Sequence, residues 1–139
     1  MTPTDPRIKL SAFWLFLWLN LIFRDIHQMD LASHPEVVRT GDHNGNRITE
    51  ELMLLGDVLV QIPISMVLVS RLSPRRIGRA VTIIAAILTT GTLLSAALTD
   101  MNDTFHLTVQ LIAMAAILRT AWVWREHTPV AAAPRHAVL

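Results

Sequence analysis

The sequence predicts an all-α membrane protein, an antiparallel four-transmembrane-helix bundle, and three observations carry that prediction. Charged residues fill only 17% of the 139 positions against 52% hydrophobic, where a soluble domain of this length carries about a quarter charged residues. The scarce charges gather in short clusters that separate four apolar tracts, each close to the roughly 20 residues a helix needs to cross a bilayer. Arginine and lysine are also placed unevenly along the chain, in a way that fits an even number of spans.

Residues 1–9 form a cytoplasmic amino-terminal tail, and 10–125 form the membrane domain. The first helix is expected over about 10–29. Its apolar run, Leu10 to Phe23 with Trp14 and Trp18, is too short to span alone, so the helix must continue through Arg24, Asp25 and His27. A cleaved signal peptide is the competing account, since Arg7 and Lys9 precede the run. The Arg24-Asp25 pair and the poor cleavage site at Ala32-Ser33 argue against it.

From Asp30 to Glu51 the composition is polar, with the Asn44-Gly45 turn signal, which marks an extramembrane loop. Asp42-His43-Asn44 resembles the opening of a calcium loop, but the sixth position is Arg47 and the twelfth Met53, where glycine and glutamate are required. Thr49 followed by Glu50 and Glu51 reads instead as a helix start. The second helix, about 52–70, contains Asp57, Gln61 and Pro63. A kink is expected there, because proline cannot donate to the carbonyl of Leu59.

Arg71 to Arg79, with four arginines and Pro74, is expected as the connection to the third helix, about 80–99, a stretch without charge. Ala85, Thr89, Ser95 and Ala96 suggest close helix contact on it. Asp100 to Asp103 reads as a tight acidic loop. The fourth helix follows over about 104–124, with Arg119 able to snorkel beside Trp122 and Trp124. Residues 126–139, rich in alanine and proline, form a disordered cytoplasmic tail.

Arg7, Lys9, Arg71, Arg75, Arg76, Arg79, Arg119, Arg125 and Arg135 fall on one side of these spans, and Arg24, Arg39 and Arg47 on the other. The positive-inside rule therefore sets both termini in the cytoplasm and the chain in the cell inner membrane as a multi-pass protein.

The candidate site is a polar cluster in the outer half of the bundle: Asn20, Arg24, Asp25, His27, Asp57, Gln61, His106 and Gln110. Asn20, Arg24 and His27 recur at helical spacing, as do Asp57, Gln61 and Ser65, and His106 with Gln110. Such stripes are expensive against lipid, so they are expected to face one another, with Arg24 paired to Asp57 at matched depth. One reading makes the cluster glue between helices; another makes it a small-solute or proton pathway in which Asp57, Asp25 and His27 relay protons past the bend at Pro63. Haem ligation by His27 and His106 is weaker, since boundary histidines are commonplace, and no cofactor or metal is expected.

No cysteine is present, and no phosphate loop, serine nucleophile or HExxH spacing occurs, so no enzyme activity is expected. The net charge of +1 gives no reason to expect nucleic-acid binding. The expected partners are the lipid bilayer and either further copies of the chain or a larger membrane protein to which it is accessory.

The run from Gln61 to Arg71, the basic turn after it, the segment Leu19-Asn20 through Asp25-Ile26 and the closing Trp122-Val-Trp124 resemble an uncharacterised family of small bacterial four-helix membrane proteins. The likeness extends from Lys9 to Arg125. It implies the fold and a bacterial inner-membrane setting, with no activity attached. The family pattern tends to glutamate where this chain has Gln61 and Gln110, so two acids stand here as neutral amides.

Overall fold

A computed structural model describes residues 5–29, 34–43, 46–95, 98 and 100–124. The helices are α1 Pro6–Met29, α2 His34–Thr40, α3 Glu50–Leu72, α4 Arg75–Ser95 and α5 Met101–Val123, with two two-residue strands, β1 Asp42–His43 and β2 Asn46–Arg47. Four of them, α1, α3, α4 and α5, are long and apolar enough to cross a membrane. Apart from the small hairpin, the described structure is helical.

A long apolar helix stands at each expected position, and the bounds shift for local reasons. The first helix begins at Pro6 rather than residue 10, with proline at a first-turn position where its missing donor is harmless. Between α3 and α4 only Ser73 and Pro74 are non-helical, so the four arginines expected in a connection lie on helices instead. Pro74 favours an extended Ser73 before it, and its carbonyl accepts from Gly78 at 2.8 Å to start the next helix. Helix α5 begins at Met101, because Asp100 caps it: Oδ1 accepts from the backbone N–H of Asp103 at 2.7 Å. The acidic loop is thus largely the first turn of a helix. Helix α3 runs unbroken through the buried Pro63. The carboxyl tail 126–139, Ala96, and the Asn44-Gly45 turn itself lie outside the described residues.

The loop before α3 holds more structure than its composition suggests. Gly41, with φ of 65°, ends α2 by donating to the carbonyl of Val37 at 2.9 Å, a left-handed cap that glycine adopts without strain. Asp42 then pairs with Arg47 and His43 with Asn46, as an Asn-Gly turn between them favours. Thr49 caps α3, its hydroxyl accepting from the N–H of Leu52 at 3.3 Å. Thr49→Ala is expected to lower the stability of the folded chain by about 1 kcal/mol, measurable as a shifted midpoint in reversible unfolding from bicelles.

The four long helices pack in cyclic order α1, α3, α4, α5, with α1 making the fuller contacts to its two neighbours. Leu10, Trp14 and Leu17 of α1 are fully buried, and they meet a core that includes Met66, Ala86, Leu93, Met114 and Ile117. Specific polar contacts fix which ends meet. Ser11, near the start of α1, donates to the carbonyl of Val67, near the end of α3, at 2.9 Å, and accepts from Arg71 Nε at 3.1 Å. Arg75, opening α4, donates through Nε and Nη2 to the carbonyl of Trp124 after α5, at 3.0 and 2.7 Å, placing a cation at the negative end of that helix. Arg79 lies 5.4 Å from the centre of the Trp122 ring.

Candidate functional site

The polar stripe of α1 finds its partners on α5. Arg24, buried, forms an ion pair through Nε with Asp103 Oδ1 at 2.8 Å, and Gln28 Nε2 donates to the same oxygen at 2.8 Å. Asp103 is only 1% exposed. One helical turn inward, His106 Nδ1 lies 3.2 Å from Asn20 Oδ1. Toward the rim, His27 Nε2 is 3.4 Å from Asp100 Oδ2. A carboxylate buried this deeply needs charged and hydrogen-bonding partners, and Asp103 takes both from α1 while its backbone N–H is held by Asp100.

The expected pair of Arg24 with Asp57 is therefore not formed. Arg24 pairs across the α1–α5 contact, and the side chains of Asp57 and Gln61 are exposed, with no hydrogen bond or ion pair to any described residue. The reason is the rotation of α3. Its buried positions are Pro63, Met66 and Ser70, and at about 100° per residue Asp57, Gln61 and the exposed Leu68 project from the opposite side. The expectation rested on matched depth, and the outward direction of the Asp57 side chain overturns it.

Both residues nonetheless lie within the apolar belt. Exposed apolar side chains on α3 run from Leu52 to Leu72, a rise of about 30 Å, equal to the hydrocarbon thickness. On that scale Asp57 is about 8 Å and Gln61 about 14 Å in from the end of the belt at Leu52. Gln61 and Ser65 border a groove of about 470 Å³ between α3 and α4, whose walls include Val58, Val81, Ile84 and Leu88.

Of the remaining candidates, Asp25 is exposed beside the cluster, and Gln110 is fully buried one turn from His106 without bonding to it. Neither amide atom of Gln110 has a hydrogen-bond partner among the described residues. His27 and His106 take separate partners on separate turns, and no three metal-ligating acids or histidines converge among the described residues.

Asp103 and Gln28 are the members that sequence reasoning left out. Two signals pointed to Asp103: an aspartate three residues earlier, at capping distance, and a seven-residue spacing to Gln110 that puts both on one helical face.

No curated protein and no solved structure matches the chain. A family model does match, over residues 4–128, slightly beyond the stretch on which the resemblance rests. The chain belongs to that family, a family of unknown function, DUF6326.

Proposed function

We propose that the protein is an antiparallel four-helix bundle of the bacterial inner membrane, with both ends of the described chain cytoplasmic, and that it acts as an accessory subunit docking on a membrane partner through α3. The contacts of Ser11 with Val67, Arg24 with Asp103 and Arg75 with Trp124 support the antiparallel order. The excess of basic residues at the end holding Arg71 to Arg79 supports the orientation.

One observation carries the docking role: Asp57 and Gln61 are exposed on the side of α3 opposite its buried residues, a side that faces lipid if α3 spans the membrane. A carboxylate there costs about 2.5–3.5 kcal/mol even on the milder insertion scale. Intrahelical packing gives it no counter-charge, so the compensation must come from outside the bundle. The fitting occupant is a transmembrane helix lying in the α3–α4 groove and presenting lysine or arginine at the depth of Asp57. A second copy fits less well, because two copies oriented alike and meeting through α3 would bring Asp57 against Asp57 at equal depth.

Purification from native membranes in mild detergent tests the reading. A stoichiometric partner with a basic residue inside a transmembrane helix is expected, and Asp57→Leu should release it with more than a tenfold loss of affinity, while the chain itself stays folded. Exchanging the two charges between the proteins should restore binding. Retention of the partner by Asp57→Leu, or a chain that purifies alone and conducts protons or small solutes in liposomes, would reject docking in favour of a pathway or a homo-oligomer.

A further inference from the structure

The interior of the bundle carries a second polar feature, independent of docking on α3. Gln110 is 0% exposed and Thr89 5% exposed, and Gln110 Nε2 and Oε1 and Thr89 Oγ1 all lack a hydrogen-bond partner among the described residues. Thr92, Thr108 and Thr120 donate to the carbonyl four residues back, whereas the buried Thr82 hydroxyl, nearer the start of α4, is unpartnered like Thr89 among the described residues. Thr89 does not take that local option.

The register of the helices brings these groups to one level. Arg75 donates to the carbonyl of Trp124 and Arg79 lies over the Trp122 ring, which sets Gln110 of α5 opposite the turn of α4 that begins at Thr89. Asn20 with His106 and Arg24 with Asp103 set Gln110 opposite Leu17 of α1. Ser11, bonded to both Val67 and Arg71, sets Leu17 opposite the turn of α3 from Gln61 to Ser65, which holds the fully buried Pro63. Pro63 has no N–H, so the carbonyl of Leu59 is left without its helical donor. Measured from the inner helix ends, Gln110, Thr89 and Leu59 all stand at about 20 Å.

We infer that the amide of Gln110, the hydroxyl of Thr89 and the carbonyl of Leu59 together form a water-binding site near the bilayer midplane. The set supplies donors and acceptors in the proportion one water needs: the Gln110 amide offers both, the threonine hydroxyl both, and the carbonyl accepts. Two to four polar partners are what a buried water requires, and three helices carry candidate groups at this level. In lipid the groups have no bulk water to turn to, which makes an internal water the means of satisfying all three at once. The site lies one turn inward of the Asn20–His106 contact, so it extends the polar interior from the outer rim to the middle of the membrane.

Water-edited solid-state NMR on the full chain in liposomes, with glutamine side chains labelled with nitrogen-15, tests this directly. The sequence has only Gln28, Gln61 and Gln110, and Gln110→Leu assigns the buried signal by deleting it. Magnetisation from water is expected to reach the Gln110 amide as readily as that of Gln28 near the rim, and Thr89→Val should remove most of that transfer while leaving the Gln28 signal unchanged. A Gln110 amide that receives nothing from water in the wild-type chain would overturn the inference. So would a transfer that Thr89→Val leaves intact, since the water would then not be held by this set.

Discussion

Replacing Asp103 by alanine is expected to destabilise the folded bundle by about 3–5 kcal/mol, the usual consequence of stranding one partner of a buried ion pair. Arg24 is 9% and Asp103 1% exposed, so neither charge has water to fall back on. Gln28 would lose its acceptor in the same step. Arg24→Met should be nearly as harmful, because it leaves the carboxylate buried without its counter-charge. The double replacement Arg24→Met with Asp103→Leu should recover most of the loss, since a buried pair exchanged for apolar residues of similar volume is often neutral or stabilising. Reversible unfolding in bicelles, followed by tryptophan fluorescence, reads all three. Additive losses in the double variant would mean that the two residues act separately.

Trp14→Ala is the second large effect, a loss of about 3–5 kcal/mol. Trp14 is fully buried between Leu10 and Leu17 on the inward face of α1. Lipid is as apolar as the core, so the loss comes from packing rather than from transfer out of water. Trp14→Phe separates these contributions. The indole Nε1 has no partner among the described residues, and phenylalanine keeps most of the ring volume while deleting that buried donor. Its expected cost is therefore small, under about 1.5 kcal/mol for a swap that conserves most of the volume. The same unfolding measurement distinguishes the two variants.

The spans were legible in the sequence because length and apolar composition suffice to identify a helix that crosses a bilayer. Thr49 as a cap was legible for a local reason too, since capping needs only a hydroxyl and a helix start. The faces of the helices were harder. In water the buried face of a helix announces itself by being apolar, but between lipid and protein that contrast vanishes. Asp57, Gln61 and Ser65 form a regular polar stripe, yet α3 turns Pro63, Met66 and Ser70 inward. A stripe that would mark an interior face in a self-sufficient bundle marks the outer face here. Asp103 was missed for a different reason: a short acidic stretch, Asp100 to Asp103, after an apolar tract resembles a loop, and only the capping relation of Asp100 to Asp103 identifies it as a helix beginning.

The central claim is that the polar residues divide between a paired α1–α5 contact inside the bundle and an α3 face awaiting a partner. A nitroxide attached at Leu68→Cys tests it most directly, because the chain has no native cysteine and Leu68 shares the face of Asp57 and Gln61 without replacing either. Ile112→Cys, exposed on α5, serves as the lipid-facing control. In liposomes at high dilution the Leu68 label should be as accessible to dissolved oxygen as the control, and in native membranes it should become shielded while the control does not. Shielding at high dilution would place this face inside the bundle, and full accessibility in native membranes would mean that nothing docks on α3; either result contradicts the account.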